Sequence, residues 1–160
     1  YQETPQIDNQ VFLGSKAYYL KKLYLKDYPV PPGFIITTEV FRRIKSILKV
    51  EPINNELDQM IKSHLAKIEE ITGCKFGDPH NPLLLSVRSG SAISMPGAMN
   101  TFLNVGLNDE ITEELSKQEN YGWTSWDCYR RLLQTWGMSY GLERDDFDQI
   151  ILNYKKKYIV

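Results

Sequence analysis

Cysteine and histidine are scarce in this chain, and the scarcity removes whole classes of chemistry. Cys74 and Cys128 are the only cysteines in 160 residues. Far apart and without a CxxC partner, they argue against a zinc site and predict a reducing, cytoplasmic setting. His64 and His80 have no Cys, His or carboxylate at metal-ligand spacing, so neither reads as a ligand or a nucleophile. Long apolar runs are missing too. No segment approaches the about 20 residues of a membrane span, and no signal peptide is visible. The formal charge of −1 gives no general attraction to nucleic acid or membrane, so any anion site must be local. No repeat or low-complexity tract is present.

What is there is an ordinary globular composition, 42% hydrophobic and 24% charged, with enough length for a sizeable core. The most informative stretch is Asn81 to Thr101, NPLLLSVRSGSAISMPGAMNT. Leu83 to Val87 is a short apolar run that fits a buried strand, and regular alternation would put Ser86 and Arg88 on one face. The loop beyond is rich in Gly, Ser and Pro, which favours turns and close backbone approach. Freed backbone amides can bind phosphate oxygens, and an arginine beside them adds a planar fork. An ordinary strand-exit loop with a surface arginine has the same composition, and on composition alone both readings stand.

Elsewhere helical periods dominate. Ala17, Leu20, Leu23 and Tyr24 predict a helix over 15–27, opened by Gly14-Ser15. Val30 to Thr37 reads as a turn and a short strand, and Thr38 as the N-cap of a helix carrying Val40, Phe41, Ile44, Ile47 and Leu48. The clearest helix runs from about Pro52 to Thr72, with Gly73 as its C-terminal cap. Thr101 to Val105 reads as a second strand, followed at Asn108 by a short helix. The last third carries two apolar stripes. One is Trp126, Tyr129, Leu132, Leu133, Trp136 and Tyr140, and the other is Phe147, Ile150, Ile151, Tyr154 and Tyr158. Strands early and helices late predict an α+β fold, divided into an α/β part over 1–107 and a helical part over 108–160.

Lys16 follows Gly14-Ser15 at a helix start, where free amides and the helix dipole favour an anion. It lacks the earlier glycine and the following Ser or Thr of a Walker A loop. Arg131 falls almost opposite the apolar stripe of its helix and Arg130 at its flank, so Arg131 is placed to reach across a cleft or to face water. Asp78 reads as a turn residue and not a general base.

Phe76-Gly77-Asp78-Pro79, Asn81-Pro82-Leu83-Leu84, Ser86-Val87-Arg88-Ser89-Gly90 and Ser94-Met95-Pro96-Gly97 resemble the nucleotide-binding domain of the pyruvate phosphate dikinase family. Val30-Pro31-Pro32-Gly33-Phe34, Thr37-Thr38-Glu39 and Tyr129-Arg130-Arg131 extend the resemblance over nearly the whole chain. It implies the N-terminal part of an ATP-grasp-like domain in a phosphotransferase that converts ATP, phosphate and pyruvate into AMP, pyrophosphate and phosphoenolpyruvate. The carrier would be a histidine on a separate swivelling domain, and the acceptor site a pyruvate-binding barrel. On matching positions, Lys16, Arg88 and Arg131 would bind the ATP phosphates, and Gly97, Ala98, Met99 and Asn100 would close over them through backbone amides. Magnesium would share the charge through ligands from a later segment.

The chain starts at Tyr1 and reads as a piece of something longer, inactive alone and partnered by the rest of its domain. A homodimer stays open. Departures from the family pattern are Gly14-Ser15-Lys16-Ala17-Tyr18-Tyr19 for Gly-Gly-Lys-Gly-Ala-Asn, Ala98-Met99 for Met-Met, and Asn100 for Asp. They keep open a noncatalytic nucleotide-binding or regulatory module of the same fold. A phosphoenolpyruvate synthase-like enzyme is a further alternative.

Overall fold

Local capping chemistry sets several of the helix ends. The structure is a computed structural model, which describes residues 9–37, 40, 51–89 and 101–158. The chain forms two units, Tyr1–Lys75 with Ser89–Met99, and Phe76–Arg88 with Asn100–Val160.

In the first unit, α1 (Gln10–Leu13) starts where the Asn9 side chain accepts a hydrogen bond from the Val11 N–H at 2.8 Å. Gly14, at φ +77°, separates it from α2 (Ser15–Tyr24), and Leu13 is buried beside the junction. The expected long helix is α3 (Glu51–Thr72), on which Ile68 is buried. Gly73 ends it at φ +72°, and its N–H reaches the Glu69 carbonyl at 2.8 Å. A residue with a Cβ is strained in that left-handed position.

Residues 31–37, expected to hold a strand, carry no strand pairing. A strand exists through its partner, and β1 and β2 of the other unit pair with each other. Phe34 instead sets its ring 5.5 Å from that of His64 on α3. Of the helix expected after Thr38, only Val40 is described, and it is helical. The rest of that expectation lies outside the described residues.

The second unit is built on a hairpin of β1 (Leu85–Arg88) and β2 (Thr101–Val105), both expected as strands, although β1, expected to be buried, is exposed from Ser86 to Arg88. They pair antiparallel, Leu85 with Val105, Val87 with Phe102 and Arg88 with Thr101, with an irregularity between Leu85 and Val87. Asn108 caps α4 (Asp109–Ser116) by accepting from the Ile111 N–H at 2.8 Å. Helix α5 (Gly122–Ser139) packs on both α4 and β2, and α6 (Arg144–Tyr158) follows a short turn. Asp145 and Asp146 open α6 and Lys155 to Lys157 close it, as the helix dipole favours. Helices with an antiparallel hairpin make the fold α+β, as the order of expected strands and helices predicted.

The core of this unit is Leu83, Leu107 and Ile111. The tryptophan stripe of α5 is less covered than a core stripe, with Trp126 and Trp136 about half exposed at 47% and 51%. Phe102 meets Trp136 edge-on at 5.5 Å. Thr112 is fully buried beside Ile111, and its hydroxyl finds no hydrogen-bond partner among the described residues. Replacing an unsatisfied buried hydroxyl by a methyl of the same shape removes a desolvation cost. Thr112→Val is therefore expected to leave stability unchanged or raise it by about 1 kcal/mol, measured by urea unfolding. A loss of that size would show that the hydroxyl is satisfied.

Candidate phosphate-binding face

Arg88 ends β1 with an exposed side chain whose Nε donates to Ser86 Oγ at 3.1 Å. The two residues expected on one face do meet. Residues directly paired across antiparallel strands project to the same face, so Arg88 and Thr101 share one side of the hairpin and Val87 and Phe102 the other.

On the Val87 side lies an apolar hollow of ≈ 570 Å³, lined by Val87, Phe102, Val105, Trp136, Ser139 and Tyr140. A second hollow, of ≈ 330 Å³, has as its polar lining Thr101, Asn104, Arg131, Gln134, Thr135 and Arg144. Leu103, Leu132 and Met138 complete it. No carboxylate lines this second hollow among the described residues. Packing of α5 against β2 thus brings Arg131 to a hollow that Thr101, the partner of Arg88 across the hairpin, also lines.

Arg131 is braced by Asp127, one turn earlier on α5, through Nε to Oδ2 at 2.6 Å. The other oxygen, Oδ1, accepts from Arg130 Nη2 at 2.7 Å, and Arg130 Nη1 also donates to Gln134 at 2.9 Å. One carboxylate therefore faces two guanidiniums, leaving net positive charge. Hydrogen bonds from Arg130, then from Arg131, hold the Asp127 carboxyl below its ordinary range. A depressed carboxyl stabilises the folded chain above its unfolded value of about 3.9, and that contribution disappears as pH falls through the folded value. The Asp127 carboxyl carbon, followed by NMR, is thus expected to titrate below about pH 3.9. A midpoint at or above the unfolded value would contradict the shared carboxylate.

Lys16 belongs to the other unit, exposed at the second position of α2. Gly14 precedes this helix without a side-chain cap. Gly97, Ala98, Met99 and Asn100 lie outside the described residues. Asp78 does act as a turn residue, its Oδ1 accepting from the His80 N–H at 2.8 Å. His80 lies 3.8 Å from Glu114, an exposed contact at the surface. Both cysteines are free thiols, and no group of three His, Cys, Asp or Glu is placed to hold a metal ion among the described residues. No helix among them is long and apolar enough to cross a membrane.

Sequence reasoning missed Asp127 and Arg144. The first had a readable signal, since acid and base three and four residues apart meet on a helix. Arg144 reaches the hollow through the turn between α5 and α6, which no local spacing reports.

No protein-family profile matches the chain. It is similar, however, to curated pyruvate, phosphate dikinases. It is 36% identical over 146 residues to the one from Rhizobium meliloti, covering 91% of this chain and 16% of that protein. With the Giardia intestinalis protein it shares 38% over 147 residues, again 91% of this chain and 16% of the relative. With the chloroplastic pyruvate, phosphate dikinase 1 of rice it shares 41% over 125 residues, 78% of this chain and 13% of the relative. The chain spans about 16% of the length of the first two relatives. Over the segment it shares with them, the chain belongs to the pyruvate, phosphate dikinase family.

Proposed function

We propose that the chain is the phosphate-binding part of the ATP site in a dikinase, within an ATP-grasp-like domain. The observation that supports this reading is Arg131 in a hollow lined by Thr101, whose strand partner is Arg88, within a chain similar to dikinases over most of its length. Arginine suits the task because its guanidinium stays charged and offers paired donors to phosphate oxygens. Lys16 supplies a further cation, and Gly97 to Asn100 close over the phosphates through backbone amides.

ATP fits this set of residues by charge and donor chemistry. The described part of the site offers cations and hydroxyls toward the anion, and the acid nearest them, Asp127, is held by Arg130 and Arg131. When bound, ATP supplies the phosphoryl group, and magnesium, held by carboxylates of a later segment, shares its charge. The chain's own residues bind and orient the phosphates, which is the main protein task in phosphoryl transfer. The phosphoryl group then passes to a histidine on a swivelling domain and on to pyruvate at a separate barrel.

A second reading, a nucleotide-binding module without transfer, is favoured by the first turns of α2. There Tyr18 and Tyr19 meet edge-on at 5.5 Å, Lys22 lies 4.4 Å over the Tyr18 ring, and Tyr19 is 58% exposed. The family pattern has smaller residues at this turn.

Titration of the isotopically labelled chain with magnesium and ATP tests the common core of both readings. ATP is expected to shift the signals of Lys16, Arg88, Thr101 and Arg131 at millimolar concentration. Shifts absent from all four, or identical with adenosine alone, would sink the phosphate assignment.

A further inference from the structure

The hollow beside Arg131 contains a second cation that the nucleotide reading leaves unused. Arg144 is the first residue of α6, with a side chain 74% exposed. Its place is set by tertiary packing. A Cβ added at Gly137 of α5 would lie 2.7 Å from Phe147 Cζ and 3.0 Å from Leu142 Cδ1, so α6 and the preceding turn sit hard against α5 at a glycine. The turn is tied down by the Gly137 carbonyl, which accepts from the N–H groups of Tyr140 and Leu142 at 3.0 and 3.2 Å. The Glu143 N–H donates to Asp146 Oδ2 at 2.8 Å and fixes the start of α6.

The donors around the hollow are not consumed. Among the described residues Arg131 makes its carboxylate bond through Nε, and Arg144 approaches Asp148 through Nε at the long distance of 3.8 Å. The Nη groups of both remain for a ligand. Gln134 accepts from Arg130 through its oxygen, which leaves its amide N–H groups as donors. Two guanidiniums and a side-chain amide, with no acid in the lining, make an environment that attracts an oxyanion and repels a cation.

We propose that Arg144 and Arg131 together clamp a phosphoryl oxyanion in this hollow, with Arg144 extending the nucleotide site along α5. The inference rests on the nucleotide reading only in that Arg131 serves both. The shared chemistry is a phosphate group, which a nucleotide or free phosphate could bring.

The test follows the arginine Nε–Hε signals of the whole chain during separate titrations with ATP, pyrophosphate and inorganic phosphate. Pyrophosphate and ATP are expected to shift Arg131 and Arg144 together. Arg144→Gln should weaken both ligands by about fivefold, the scale of one charge-assisted contact at an exposed site. Arg144→Lys should recover part of the loss, and Lys155→Gln, at the other end of α6, should change nothing. Tightest binding of inorganic phosphate would support the clamp with a free phosphate as its occupant. Unchanged affinities in Arg144→Gln, or no binding of any of the three anions, would overturn it. If ATP engages Arg88 and none of the three anions moves Arg144, the clamp fails and the nucleotide reading stands. If pyrophosphate engages Arg131 and Arg144 while ATP moves neither Lys16 nor Arg88, the clamp stands and the nucleotide reading fails.

Discussion

Arg88→Ala is expected to abolish phosphorylation of the carrier histidine in a full-length relative that carries this chain in place of its aligned segment. Phosphoryl transfer asks a protein for position and charge neutralisation, and Arg88 is suited to supply both. Its backbone is pinned by pairing with Thr101, and its guanidinium is steered by Ser86 at 3.1 Å. Removing it takes away charge and a bidentate fork at once, for an expected loss of at least about a hundredfold. Arg88→Lys keeps the charge without the fork and should fall between the two. Transfer that continues unchanged in Arg88→Ala would reject the residue's role.

Gly106→Ala is expected to have the largest effect on folding, destabilising the second unit by at least about 2 kcal/mol. The glycine follows β2 at φ +119°, a conformation that residues with a Cβ rarely adopt. An added Cβ would also sit 2.8 Å from the Leu83 carbonyl oxygen and 3.1 Å from the Phe76 ring. Carbonyl oxygen is backbone and cannot swing aside, so the turn that joins the hairpin to α4 would have to open. Trp123, Trp126 and Trp136 all belong to this unit, so tryptophan fluorescence during urea unfolding reports it separately. An unchanged midpoint would contradict the close approach.

How much the sequence revealed depended on the range of the interactions involved. The Asn108 cap and the Gly73 stop are local, so both helix boundaries could be read from neighbouring residues. The hairpin strands were legible as segments, but their register was not, because pairing Arg88 with Thr101 joins residues across a long loop. That register decides which residues share the face of Arg88, and hence the site. The unpaired stretch at 31–37 shows the converse, since apolar β-formers make a strand only where a partner edge is offered. The stripe of Trp126, Leu133 and Trp136 stated that a face favours burial, while the half-exposed side chains show that periodicity does not name the cover. The family resemblance pointed to Arg131, and packing of α5 against β2 is what sets it in a hollow with Thr101.

The most direct measurement is the segment exchange itself. The Rhizobium meliloti relative, with its aligned segment replaced by this chain, is mixed with labelled ATP and magnesium, and label on its carrier histidine is counted. The account predicts retained ATP-dependent labelling that disappears with Arg88→Ala. A folded exchange protein that binds ATP but transfers no label would contradict the dikinase assignment and leave the noncatalytic module in its place.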